Sequence, residues 1–244
     1  MTNFLYRHRK EFFFIAGIFC VAISIRSFYL WCGYDFERDG VFYIKLVQNW
    51  VQNGIFPDAR ICYFPFLLPF LLAKLGMPVA HAFVAQNLLL GCLIPVELFL
   101  LMKYLHCRNA VAVAVALFAA CHPALISYSC QPLRECSYFF FSLILIGLLI
   151  KIWRYDRAVD HIVFGVLTVV TFFCRMEGGE FMVFYTLTTG IRQFSFGNSW
   201  KKFWQHNFIA WGTFLLVWTI AFYPVRQNYT LALRFHQIYS FFGK

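Results

Sequence analysis

The chain has 244 residues, of which 61% are hydrophobic and only 13% charged, where a soluble domain has about a quarter charged. With 32 phenylalanines and 21% aromatic residues, the apolar surplus exceeds what a single core of this size can hide, so much of it must face lipid. This composition excludes a disordered chain, a coiled coil, a collagen-like repeat and a small disulfide scaffold, and the long apolar runs, which do not alternate, exclude a β-barrel.

The formal charge of +10 does not mark a nucleic-acid binder. Its Lys and Arg residues return in the short breaks between apolar runs, as in cytoplasmic loops. The nine cysteines contain no C-x-x-C pair and sit mostly inside apolar runs, as small buried hydrophobes do. The expected class is all-α: a single polytopic transmembrane bundle over residues 1–244, with about seven spans and no soluble domain.

In chain order, Arg7-His8-Arg9-Lys10 and the apolar run Phe12–Trp31 predict a retained signal-anchor helix, about 20 residues long as a ~30 Å hydrocarbon core requires. Arg26 lies late in that run, where it is expected to snorkel to the interface. The outer segment 34–78 follows. Within it Val41, Ile44, Val47 and Val51 recur at helical spacing, predicting an amphipathic interfacial helix that ends at Asn53-Gly54. Tyr63–Leu72 holds two prolines and predicts a second surface-lying helix. Val79–Tyr104, Ala110–Ser129, Ser137–Trp153 and Phe208–Tyr223 are expected to cross the membrane. Ile162–Phe173 and Phe181–Gly190 are each about a dozen residues, roughly 18 Å of helix. They are expected to borrow the polar hinge Arg175–Glu180, set below the surface and facing a cavity.

A cytoplasmic N-terminus puts Lys103/Arg108, Lys151/Arg154/Arg157 and Arg192/Lys201/Lys202 on the inner side, and the acidic residues Asp35, Glu37, Asp39, Asp58, Glu135, Glu177 and Glu180 on the outer side together with the C-terminus. Two roles compete for Asp39. It precedes the amphipathic helix as an N-cap would, and it stands where a general base could meet an incoming hydroxyl. Arg134-Glu135 and Arg175/Glu177/Glu180 can close helix ends as ion pairs, or Arg175 can hold a phosphate with its planar set of donors. Glu97 is expected to be paired or protonated within the bundle, and Asn87 and His122 to join helices.

The order Arg38-Asp39-Gly40-Val41-Phe42-Tyr43, Pro65-x-x-x-Pro69, Leu75-Gly76, Pro132-Leu133-Arg134-Glu135-x-x-Tyr138 and Cys174-Arg175-Met176-Glu177-Gly178 resembles the integral-membrane glycosyltransferases of the GT-C type. Among them it is most similar to family 39, the protein mannosyltransferase and aminoarabinose lipid A transferase group. The resemblance runs over essentially the whole chain. It implies an enzyme of the plasma (inner) membrane that moves a sugar from a polyprenyl-phosphate donor to a lipid, glycan or protein acceptor on the outer side. Asp39 matches the family's acceptor-activating aspartate. Tyr43 matches the aromatic four positions on, and Glu135 an acidic residue at the start of a later helix. Arg175 matches the basic residue near the donor phosphate, with Cys174 where threonine is common. Arg38 and Arg134 would assist at the phosphate, with Glu177 beside them.

Family members generally continue through further spans, often into an external domain, whereas this sequence stops about 20 residues beyond its seventh expected crossing. No redox cofactor is required, since the donor carries its own leaving group. The acidic loop would accommodate a divalent metal but offers no His and no firm ligand spacing. Two other readings stay open: a non-catalytic protein of the same fold that binds a lipid-linked sugar or a partner enzyme, and a small transporter, for which Gly-interrupted short spans are a signature.

Overall fold

The computed structural model describes residues 2–33, 35–54, 64–196 and 200–222, with side chains from residue 11 onward. Tyr63, Asp58 and the tail from Arg226 lie outside these residues. The elements are α1 (Thr2–Trp31), α2 (Arg38–Asn53), α3 (Phe64–Lys74), α4 (Val79–Tyr104), α5 (Asn109–Cys121), α6 (Pro123–Cys130), α7 (Glu135–Tyr155), α8 (Ala158–Cys174), a 3-10 turn (Met176–Gly179), α9 (Glu180–Phe196) and α10 (Trp200–Phe222). The fold is all-α. Three stretches, Glu11–Trp31, α4 and α7, are long and apolar enough to cross a membrane, and the bent pair α5 and α6 is a fourth when taken as one span. The chain is accordingly a multi-pass membrane protein.

Helix α7 carries the layout. Its 21 residues extend ~31 Å, with Glu135 at one end and Asp156 just past the other. Helix α8 runs back beside it, the 3-10 turn reverses the chain at the Glu135 end, and α9 returns. Helices α4 and α7 also run side by side: Arg154 donates to the Tyr104 carbonyl at 2.8 Å at the Asp156 end, and Asn87 reaches the 131–133 turn toward the other. Between them the interior is divided into apolar clusters. One, around Leu145, Ile152, Phe164, Met182 and Tyr185, binds α7 to α8, α9 and α10. Another, of Ile18, Val96, Phe99, Ala112 and Ala116, binds α1 to α4 and α5.

The expected span Ala110–Ser129 is broken. Helices α5 and α6 meet at 56° across His122-Pro123, because Pro123 has no N–H to donate to the preceding turn. Arg26 exploits this break and does not snorkel. It is wholly buried; its Nη1 donates to the Ala120 carbonyl at 3.3 Å and to Ala22 at 3.2 Å, and its Nε donates to Ser129 Oγ at 2.8 Å. Carbonyls released by a helix break are what an arginine held inside a bundle requires. His122 does not join helices: its Nδ1 is buried without a partner among the described residues.

The remaining differences concern where helices begin. Helices α8 and α9 are 17 residues each, or ~26 Å, longer than the dozen expected, because their polar ends are helical too. Asp160 in the first turn of α8 is buried and pairs with Lys151. In α2 the buried positions are Gly40, Tyr43, Leu46 and Val47, while Val41 is 40% exposed. The stripe is rotated because the aromatic stack of Tyr43 on Phe66 (5.1 Å) and Phe66 on Phe83 (5.7 Å) outweighs the aliphatic positions. Gly54, at φ 71, ends the helix as expected.

Gly91 lets α4 approach α6 at the Arg26 site: a Cβ there would lie 2.1 Å from the Ser129 Cβ and 3.2 Å from the Arg26 Nε. Gly91→Ala should destabilise the bundle by about 1–3 kcal/mol through overpacking. Gly212→Ala, where a Cβ meets nothing within 4 Å, should be neutral or raise stability by up to ~1 kcal/mol. Thermal unfolding in detergent separates the two.

Candidate functional site

Three chain segments meet at the Glu135 end. The first is the start of α2, which packs so closely on the turn before α7 that a Cβ on Gly40 would lie 2.7 Å from the Pro132 ring. The second is that turn itself. Asn87 holds it by donating from Nδ2 to the carbonyls of Gln131 (2.6 Å) and Leu133 (2.7 Å), so Asn87 does join elements as expected. The third is the link from α8 to the 3-10 turn. There the Arg175 N–H closes α8 on the Thr171 carbonyl at 2.9 Å, and the Gly178 N–H donates to the Arg175 carbonyl at 2.9 Å. Gly178 rests directly on α8: a Cβ there would come within 2.5 Å of the Thr171 backbone.

Arg175 is the centre of the resulting ion-pair network. Its Nη1 donates to Glu135 Oε1 at 3.1 Å, and its Nη2 and Nε donate to the two oxygens of Glu177 at 3.1 and 3.5 Å. Arg134 Nε stands 4.0 Å from the same Glu135 oxygen, and the Arg175 guanidinium lies 5.7 Å from the centre of the Tyr138 ring. Both edges of the guanidinium are thus held by carboxylates. The two are not alike: the Glu135 side chain is 20% exposed and Glu177 51%.

Asp39 lies one helical turn before Tyr43 on α2. The structure places Asp39 inside the first turn of α2, after Glu37 at the capping position, so the expected N-cap role is not the one it takes. The side chain is exposed. One helical turn on, Tyr43 is buried at 7% exposure. Burial pushes its phenol above the ordinary 10.0, with Arg134, Glu135, Asp39 and Arg175 all close enough to act on it. Arg134, Glu135, Arg175 and Glu177 form one ion-pair group, with Tyr43 within its electrostatic reach and Arg38 and Asp39 exposed in the first turn of α2.

An apolar groove of about 250 Å³ lies next to it, lined by Phe64, Pro65, Leu68, Gln86, Ser137 and Phe141 among others. Gln86 fixes its wall by donating to the Pro65 carbonyl at 2.9 Å. In chemical terms the group offers a solvent-facing carboxylate, a buried phenol that stays protonated, and a guanidinium with an exposed, displaceable partner.

Two further features lie away from this group, the first at a residue the sequence singles out and the second at a cluster it does not reveal. Glu97 keeps Oε2 buried with no hydrogen-bond partner among the described residues and lines an apolar cavity of about 540 Å³ with Leu100, Tyr104, Leu148 and Lys151. At the Asp156 end, Asp156, His161 and His206 gather their side-chain ligand atoms within 4.8 Å of one another. The signal was present in the polar His residues early in α8 and α10, but the basic loops around them drew the reading toward membrane orientation. No protein-family model, curated protein or solved structure matches the chain.

The Glu177 carboxyl is held below its ordinary value of 4.5 by its own backbone N–H and by Arg175. A carboxyl depressed on folding contributes stability above its unfolded-state value and loses it as pH falls through the folded-state value. Glu177→Gln should therefore lower the melting temperature slightly at neutral pH, and the difference from wild type should vanish in acid. Melting curves of both proteins across that range check the sign.

Proposed function

We propose that the chain is a GT-C type glycosyltransferase, similar to family 39, that moves a sugar from a polyprenyl-phosphate donor to a hydroxyl acceptor at the outer surface of the plasma membrane. One observation carries this reading: Arg134 and Glu135, before α7, pair with Arg175, after α8, at the end where the first turn of α2, which bears Asp39, packs through Gly40 on Pro132. In the proposed topology α8, α9 and α10 cross as well, giving seven spans. The N-terminus and the Asp156 end lie in the cytoplasm, and the Glu135 end with the C-terminus lies outside.

The Asp39 carboxylate accepts the proton of the acceptor hydroxyl as its oxygen bonds to the anomeric carbon of the sugar. The bond from that carbon to the phosphate oxygen breaks, and the electron pair leaves with the polyprenyl phosphate. Arg175, assisted by Arg134 and Arg38, meets the charge that develops on this leaving group. Tyr43 donates its hydrogen bond within the site without contributing a charge of its own. The groove between α3, α4 and α7 suits the first isoprene units of the donor, since Ser137 in its wall stands two residues from Glu135. No redox step is part of this chemistry.

Arg175 can take a phosphate only when one carboxylate yields, and the exposed Glu177 is the one free to swing away. Glu177→Gln is therefore expected to tighten donor binding severalfold, whereas Glu135→Gln should loosen Arg175 and lower kcat. The direct assay measures transfer of radiolabelled sugar from polyprenyl phosphate in membranes. Asp39→Asn should reduce it by about 10²–10⁴-fold, and Arg175→Ala by about 10²–10³-fold, with insertion unchanged. Donor binding that persists while Asp39→Asn changes nothing in transfer would favour a binding module, and solute accumulation in vesicles without transfer would favour a transporter.

A further inference from the structure

Four elements converge beyond the far end of α7. Asp156 follows its last turn, with its N–H on the Ile152 carbonyl at 3.1 Å and a left-handed backbone at φ 51, ψ 46, a conformation Asp adopts more readily than most residues. His161 comes from the first turns of α8, Arg192 from late in α9, and His206 from the second turn of α10. The Asp156 Oδ2 accepts from Arg192 Nη1 at 2.7 Å, and Arg192 is itself fixed by donating from Nε to the Trp153 carbonyl at 2.8 Å. That leaves Oδ1, which faces two imidazoles at once: His161 Nε2 at 3.1 Å and His206 Nδ1 at 2.9 Å. The two rings lie stacked, 4.1 Å between centres and 27° from parallel, and one nitrogen of each reaches the same carboxylate oxygen.

We infer that Asp156, His161 and His206 form a binding site for a first-row divalent metal ion of zinc type, which ties the ends of α7, α8 and α10 together. Two neutral imidazoles and a carboxylate are a nitrogen and oxygen donor set suited to such an ion. A tetrahedral zinc with bonds of about 2.0–2.1 Å sets its ligand atoms ~3.3 Å apart, within a few tenths of an ångström of the two nitrogen-to-oxygen separations, and with all three ligand atoms within 4.8 Å of one another a small turn of the imidazoles closes the set. The fourth position is left to solvent.

Hydrogen-bond accounting supports the metal over a bare hydrogen-bonded cluster of neutral imidazoles. Tyr185, wholly buried, has its Oη 2.8 Å from His161 Nδ1 and 3.0 Å from the His206 carbonyl. If neutral His161 keeps its proton on Nε2 for Asp156, Nδ1 is an acceptor, and the single Tyr185 proton faces two acceptors. With Nε2 coordinating a metal, the His161 proton sits on Nδ1 and is donated to the Tyr185 oxygen, whose own proton goes to the His206 carbonyl. Every group is then satisfied, and Tyr185 holds the ring of a metal ligand as partners outside the coordination sphere commonly do.

The test uses the full chain, purified in detergent with any histidine tag removed, stripped with chelator, reloaded with Zn²⁺ and desalted. Mass spectrometry of the metal should find about one zinc per chain in the wild type and a loss in His206→Ala that tracks the folded fraction of neither protein. Tyr185→Phe, which keeps all three ligands, should weaken zinc on the order of tenfold against a chromophoric chelator. Because the cysteines also bind metals, Co²⁺ supplies a second readout: the wild type should show the intense visible bands of a four-coordinate ion, and His206→Cys should add a thiolate-to-cobalt charge-transfer band. Zinc retained equally by wild type and His206→Ala, or cobalt spectra identical in wild type and His206→Cys, would overturn the assignment. An imidazolium at His161 would then be the cluster's central charge.

Discussion

A charge in hydrocarbon costs several kcal/mol unless the bundle supplies its partners, and this requirement orders the structure. Arg26 meets most of it inside the bundle, where the break at Pro123 releases the Ala120 carbonyl and brings Ser129 into reach, its Nη2 alone lacking a hydrogen bond among the described residues. The bend between α5 and α6, the Gly91 approach and the buried arginine are one arrangement. Elsewhere the ion pairs collect at the ends of α7: Glu135 with Arg175 and Arg134 at its start, Asp156 with Arg192, His161 and His206 beyond its finish. Between these ends the helices pack mainly through apolar contacts, with a few buried or half-buried polar groups such as Gln86, Glu97 and Thr186 among them.

The two ends are built differently. At the Glu135 end the partners are partly open to solvent, and an exposed carboxylate holds the guanidinium beside an apolar groove. Such a pair contributes little to stability and is easily exchanged for another anion, as a binding site requires. At the Asp156 end the His161 side chain is wholly enclosed and Asp156, Arg192 and His206 are each under one-fifth exposed. That end fastens helices together.

Sequence periodicity revealed much of this, and its failures have physical causes. Val79–Tyr104 was legible to the residue because a long apolar run between polar flanks admits few readings. The break at Pro123 was missed because α5 and α6 form one uninterrupted apolar pattern, and a proline alone does not say whether a helix kinks or stops. Arg26 was misread because its sequence position near a span end permits snorkelling, and only the neighbouring carbonyls show otherwise. For the site, the order of short motifs singles out Arg134, Glu135 and Arg175, which the coordinates bring together. The pairing of Arg175 with Glu135, and the gathering of Asp156, His161 and His206, depend on contacts among helices that no local pattern encodes.

The central claim is that the charged groups are sorted to two aqueous faces, with Asp39 and Glu177 on one and the α7–α8 turn on the other. Single cysteines placed at Glu177 and at Arg157, in a background lacking the native exposed thiols, measure this with a membrane-impermeant maleimide on sealed, right-side-out vesicles. The account predicts that position 177 is labelled in intact vesicles and position 157 only after permeabilisation. Labelling of both from the same side would contradict it.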